Sequence, residues 1–341
     1  VVSIRGRAPA ATGATAVQAR PDVPAPPHQP AAASTGAGSG RAGRAGRSDR
    51  SGRRGRRGGE GLTGYAFLAA ALVCFAVFSW YPIVRGLLLS FQQVNFVGPP
   101  TWVGLDNFRR LFADPLFVAA WRNTLEFTGL ALVFGFAVPF VTAVVLNELR
   151  HARAYFRLVV YLPVMLPPVV AALLWKWFYD PGPGLFNGVL HAIGLPGLRW
   201  LDSTHTALLS LVLVATWANM GSATLIYLAA LQTIPGELYE AAELDGAGVL
   251  ARLRHVTIPH TRFVLVVLLL LQIVATMQVF TEPYVMTGGG PEDSTVTVLL
   301  LLYRYAFVYN DFGTAGAMSM LLFIVLGAFS AVYLRLTRRA T

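Results

Sequence analysis

Charge is scarce in this sequence. Only 13 % of the 341 residues are Asp, Glu, Lys or Arg, against about a quarter in an ordinary soluble domain. That shortage excludes a soluble protein with the usual wetted surface. Lysine occurs once, at Lys176 between Trp175 and Trp177. A phosphate-cradling loop needs Gly-x-x-x-x-Gly-Lys-Ser/Thr, so this chain holds none, and any ATP it depends on is hydrolysed elsewhere. Gly-x-Ser-x-Gly and His-Glu-x-x-His are also missing, which removes the commoner hydrolase and zinc-protease readings. No metal site or cofactor is expected. His255 and His260 stand five apart, a spacing better suited to solvated or structural roles than to ligation. Cys74 is the single cysteine, so no disulfide forms within the chain.

What is abundant is apolar: 55 % of residues are hydrophobic and the mean hydropathy is +0.56. Apolar runs at 62–89, 124–146, 158–178, 207–231, 263–286 and 314–334 are each about long enough to cross a bilayer. They predict an all-α membrane protein with six core transmembrane helices. The first run is too long, and too far from the N-terminus, for a cleaved signal peptide. Pro163, Pro167 and Pro168 predict a kinked third span. The shorter, Tyr-rich tract at 296–307 predicts an interfacial or re-entrant helix on the outer side.

A net charge of +10 would suit nucleic acid if it were spread over one face. It is concentrated instead. Residues 1–60 hold eleven Arg against Asp22, Asp49 and Glu60. This Ala-, Pro-, Gly- and Arg-rich tail has too few large apolar side chains to fold and is expected to be disordered. Arg beside the first span suits the cytoplasmic side and anionic lipid, not nucleic acid. With the N-terminus inside, the inner segments hold twenty Arg, and the outer loops hold only Arg109, Arg110, Arg122, Arg199 and Arg304. That bias predicts cytoplasmic N- and C-termini and a cytoplasmic 235–259 segment.

The 235–259 segment is the one long charged and Gly-containing passage between strongly apolar runs in the C-terminal half. Pro235 suits a helix start. Glu237, Glu240 and Glu243 recur at a spacing of three and share roughly one face. Ala241 and Ala242 form helix without bulk, which lets another surface approach. Gly246 and Gly248 end that helix, and Asp245 is placed to cap the next one. The second helix is basic, with Arg252, Arg254 and His255.

Glu240, Ala241, Ala242, Asp245, Gly246, Ala247, Ile258 and Pro259 together resemble the EAA loop of permease subunits in bacterial ABC importers. Leu253 and Phe263 depart from that pattern, where Phe and a second Pro are common. The passages VGLDNFRRLFADPLFVAAWRNTLEFT (103–128), TWANMGSATLIYLAALQTIPGELYEAAELDGA (216–247) and TGGGPEDST (287–295) are similar to the carbohydrate-uptake, maltose-permease-like branch. The resemblance covers about 62–336. It implies a permease domain at 61–341 behind the tail, in the bacterial cytoplasmic membrane. The partners it implies are a second related permease subunit, ATP-binding cassette ATPase subunits and an extracytoplasmic sugar-binding protein.

In these terms Glu240 and Asp245 supply polar contacts and cap geometry. Ala241, Ala242, Gly246 and Ala247 allow close docking, and Pro259 fixes the exit into the fifth span. Matching by segment places Asn219, Ser222, Thr276 and Gln278 on the substrate path, with Trp217 and Tyr284 available to stack on sugar rings. Hydrogen bonding between helices is the plainer role for each polar group. A di- or oligosaccharide is the expected substrate class, and glycerol-phosphate permeases share these motifs. An ion-coupled carrier acting alone is the different-class alternative. It would need ionisable groups in mid-membrane, and only Glu282, near the outer end of the fifth run, fits. Glu282 is expected either to pair with Arg304 or to line the outer gate.

Overall fold

The computed structural model describes residues 56–94, 98–149 and 151–338. The chain divides into two units, 1–64 and 65–341. The expected tail lies outside the described residues up to 55. Residues 56–60, placed in the tail by composition, already belong to a helix that begins at Arg56. The first long apolar helix is α1 (Gly64–Leu89). A small antiparallel hairpin follows, β1 (Gln92–Gln93) and β2 (Thr101–Trp102), with Gln92 opposite Trp102. Then come α2 (Asp106–Ala113), α3 (Pro115–Glu148), α4 (Arg153–Met165), α5 (Pro168–Phe178), α6 (Leu185–Ala192) and α7 (Ala207–Leu231). The chain finishes with α8 (Gly236–Leu244), α9 (Val249–Thr276), α10 (Val298–Val308) and α11 (Phe312–Thr337).

Among the described residues five helices, α1, α3, α7, α9 and α11, are long and apolar enough to cross a membrane. A sixth span exists only if α4 and α5 are taken as a pair, and that pair is bent by 99°. The sequence predicts a kink here, and the structure makes a full break. Leu166 and Pro167 both take extended ψ, 136° and 135°. Each precedes a proline, which disfavours the helical region for that residue. Pro168 then restarts the helix at its first position, where a missing N–H costs nothing. The fifth span is also displaced. It starts inside the 235–259 segment and ends at Thr276, before the expected 286.

Prolines act more mildly inside the long helices. Pro139 lacks the N–H that would bond to Gly135, and the turn Leu132–Phe136 just before it widens to a π-type turn. Leu253–Thr257, before Pro259, does the same.

Helix α7 is the axis of the bundle. In its most apolar window 39 % of residues are buried within the chain, against 0 % in α1 and 6 % in α9. Helix α1 turns Phe67, Phe78 and Trp80 outward, as a helix does where hydrocarbon replaces water. One core cluster joins Ala143, Leu146, Tyr227, Leu231 and Ile234 at the end of the bundle that carries the 235–259 segment. Another joins Leu111, Val298, Leu301 and Met318 at the opposite end. Between them lies an aromatic group, with Tyr179 5.3 Å from both Phe186 and Trp200.

Asn187 holds the segment after α5. Its Nδ2 donates to Pro181 O (3.1 Å) and Leu198 O (3.0 Å), and its Oδ1 accepts from Leu198 N (3.0 Å) and Trp200 Nε1 (2.9 Å). The amide is therefore saturated. Asn187→Ala removes all four bonds, which are part-buried, at about 1 kcal/mol each. The purified variant should melt several degrees lower and be cut faster by protease within 181–206. An unchanged melting temperature and digestion rate would remove Asn187 as the hub of this segment.

Candidate functional site

Two features stand out: a cavity in the middle of the bundle, and the exposed loop that joins its two principal walls. The cavity has a volume of about 540 Å³. Asn219, Ser222, Thr276 and Gln278 all line it, so residues more than fifty positions apart in sequence share one space. Helix α7 brings Thr216, Asn219 and Ser222, and α9 brings Gln272 and Thr276. Gln278 and Glu282 follow just beyond the end of α9.

Three of the four expected polar groups bond to a backbone carbonyl one turn earlier. Asn219 Nδ2 donates to Ala215 O (2.8 Å), Gln278 Nε2 to Val274 O (2.9 Å) and Thr276 Oγ1 to Gln272 O (2.9 Å). The amide oxygens and second N–H groups remain for a ligand. Apolar cover comes from Phe127, Phe136 and Phe280. The widened turn of α3 contributes Gly135 and Phe136 to the wall.

Trp217 and Tyr284 do not line this cavity. Trp217 packs against Trp175, centroids 5.4 Å apart, and Tyr284 stacks on Phe280 at 5.0 Å. The aromatic side chains that line the cavity are Phe127, Phe136, Tyr227 and Phe280, which composition alone does not separate from core residues. Thr216 and Gln272 were also missed. Gln272 had a signal, an amide inside the run LVVLLLLQIV, where a polar side chain needs a partner or a cavity.

Glu282 is in the cavity wall. It does not pair with Arg304, whose Nη1 meets Asp293 Oδ1 at 3.1 Å and whose Nη2 donates to Gly288 O at 2.8 Å. Arg304 thus ties down the TGGGPEDST segment, which Asn123 also holds through bonds to Asp293 O and Val296 O.

The loop between α7 and α9 is a helix, a turn and the start of a second helix. Pro235 is the N-cap of α8, and Asp245 is its C-cap. Gly246 has φ +75°, in the left-handed region. Gly246 N donates to Glu243 O (3.0 Å), and Ala247 N donates to Ala242 O (2.9 Å). This pair of bonds is the Schellman motif. It explains three motif positions at once. Gly246 supplies the left-handed residue, and Ala242 and Ala247 are the half-buried pair where the turn closes. Asp245 does not cap the next helix. Gly246 and Ala247 intervene, and Gly248 takes the N-cap of α9.

Two side-chain links brace the hairpin. Arg252 pairs with Glu243, and the Tyr239 hydroxyl lies 3.0 Å from Thr257 Oγ1. Glu240, Ala241, Asp245, Gly246 and Pro259 are exposed. So are three apolar residues that motif reasoning passed over: Leu244 at 90 %, Val249 at 66 % and Leu250 at 77 %. Their signal is large aliphatic side chains flanking a Gly-rich turn, where water favours polar ones.

Comparison with known proteins places this architecture. Residues 135–340 match the family described as "Binding-protein-dependent transport system inner membrane component". The chain belongs to this family of permease subunits. It is 37 % identical over 276 residues to the probable ABC transporter permease protein YurN of Bacillus subtilis, covering 80 % of this chain and 94 % of the relative. It is 32 % identical to the trehalose/maltose transport system permease protein MalF of Thermococcus litoralis, covering 81 % and 93 %. A crystal structure of a bacterial ABC transporter that imports the acidic polysaccharide alginate contains a chain of the same fold. Its TM-score is 0.75 at 27 % identity, covering 85 % of this chain and 99 % of that one.

This permease is accordingly a multi-pass protein of the cytoplasmic membrane and a transport component, not an enzyme. The ion-coupled carrier reading falls with the family assignment.

Proposed function

We propose that this permease forms half of the translocation path of an ATP-driven sugar importer, and that the 235–259 loop carries the motion of a partner ATPase to the path. One observation carries the reading. Helices α7 and α9 supply the polar walls of the cavity, and the exposed loop is the direct covalent link between them. Force applied at α8 therefore reaches both walls through two short turns, 232–235 and 245–248, and the helices they join.

The loop lies in the cytoplasm, as the Arg distribution argues. Leu244, Val249 and Leu250 supply its apolar contact with an ATPase cleft, Glu240 and Asp245 its polar rim, and Gly246 the turn that presents them. Relatives that move trehalose, maltose or alginate support a sugar, with an oligosaccharide as the expected size. Asn219, Ser222, Thr276 and Gln278 meet its hydroxyls. A second permease completes the path, and an extracytoplasmic binding protein delivers the substrate.

Affinity purification from mild detergent tests the assembly. The tagged chain should bring down a second six-span permease and an ATPase. A Leu244→Asp, Leu250→Asp double variant should keep the second permease and lose most of the ATPase. Equal ATPase recovery in the variant would refute the docking surface. Recovery of the chain alone from both preparations would refute the importer assembly.

A further inference from the structure

The cavity is polar, and the one ionisable carboxyl or basic side chain in its wall is acidic. Among the residues that line it, Glu282 is the only acidic side chain and there is no Lys, Arg or His. The rest of its polarity is amide and hydroxyl, as in Asn219, Gln272 and Gln278. Arg304, Lys176 and Arg199 all lie outside this lining. Arg304 is held by Asp293 and by the Gly288 carbonyl. Lys176 and Arg199 line a different cavity, of about 600 Å³, in company with Asp180 and Asp202.

From this geometry we infer that the path selects uncharged sugars over anionic ones, with Glu282 as the specificity-determining residue. The inference rests on the sugar-importer reading and deepens it. A sugar hydroxyl both donates and accepts, so amides and hydroxyls replace its water partners one for one. A uronate, sulfonate or phosphate ester is different. It must leave water for a confined space, and an anion stripped of water is stable only beside a counter-charge. This half of the path offers none, and the only charge that Glu282 can supply there is negative. A sugar acid or glycerol phosphate is therefore disfavoured as cargo, although the motifs alone leave glycerol phosphate open.

The test uses the whole importer: this chain, the second permease, the ATPase and the binding protein, reconstituted in proteoliposomes. Uptake is measured for radiolabelled maltotriose, trehalose and arabinotriose, and for trigalacturonate and glycerol 3-phosphate. At least one neutral sugar should enter with ATP, and the anionic compounds should enter at least about tenfold more slowly. Glu282→Arg should raise the anionic-to-neutral ratio by at least about threefold, and Glu282→Gln should move it the same way by less. The binding protein is the same in every preparation, so a shift in the ratio belongs to the path.

ATP-driven uptake of an anionic compound at the neutral rate overturns the inference alone. So does a ratio that both variants leave unchanged. If the Arg variant does not assemble, the shift in the ratio produced by Glu282→Gln decides the matter. ATP-driven uptake of a non-sugar solute such as an amino acid, with no sugar transported, overturns the sugar-importer reading and this inference with it.

Discussion

A Gly246→Trp protein should reach the membrane at the normal level and lose about nine-tenths or more of its ATP-driven uptake, the size of effect expected when a central docking contact is blocked. Two causes act together. Gly246 sits at φ +75°, a conformation that costs an L-residue roughly 1–2 kcal/mol. The strain falls on the turn that places Leu244 and Leu250 on either side of it. The second cause is bulk. Among the described residues, nothing beyond its chain neighbours lies within 4 Å of where a Cβ would be, so Trp does not disturb the bundle, and its ring projects into the space a docking partner occupies. Asn tolerates the left-handed region better than other side chains. Gly246→Asn should therefore keep most of the uptake, and Gly246→Val should fall between the two. Uptake per inserted molecule, measured across the three variants, checks the order. Full uptake in Gly246→Trp would sink the role given to the turn.

The second large effect is inside the bundle. Gly221, between Asn219 and Ser222 on α7, lies directly against α4. A Cβ there would stand 2.6 Å from Val160 O and 2.9 Å from Tyr161 Cα. These are backbone atoms and cannot rotate away, so any side chain forces the two helices apart. Overpacking of this kind costs about 1–3 kcal/mol, and more where backbone must move. Gly221→Leu should lower the melting temperature by several degrees and abolish uptake even in molecules that insert, because the cavity wall moves with α7. Gly221→Ala should already be impaired. A Gly221→Leu protein with normal stability and uptake would contradict the tight α4–α7 crossing.

The two glycines show how legible each part of the molecule was in the sequence. Gly246 is readable, because its neighbours Glu240 to Ala247 form a local pattern whose geometry closes within six residues. The roles of Ala242 and Ala247 follow from the same turn. The six apolar runs are readable for the same local reason, since bilayer thickness sets their length. Gly221 gave no signal, because what it touches is sixty residues away. The breaking of the third span is an intermediate case. Pro163, Pro167 and Pro168 announce a disturbance, and only the paired extended residues Leu166 and Pro167 turn a kink into a bend of 99°.

The cavity was half legible. Asn219 and Ser222, and Thr276 and Gln278, were placed by likeness of segment, and the fold brings both pairs to one space. Trp217 was misplaced because an aromatic ring near a polar stretch suits a ligand and a neighbouring Trp equally well, and Trp175 is what it meets. Glu282 was noticed as an anomaly, but its neighbour could not be chosen until Arg304 was seen to be occupied by Asp293.

The central claim is that motion applied at the 235–259 loop changes access to the cavity. It is tested by placing Asn219→Cys in a Cys74→Ser background and assembling the whole importer in proteoliposomes of known orientation. A membrane-impermeant thiol reagent is added from the outer side, with and without ATP and vanadate. Labelling of position 219 from outside should rise when nucleotide closes the ATPase, and should not respond to nucleotide when Gly246→Trp is also present. Labelling that is the same with and without nucleotide, in an importer that still hydrolyses ATP, would contradict the account.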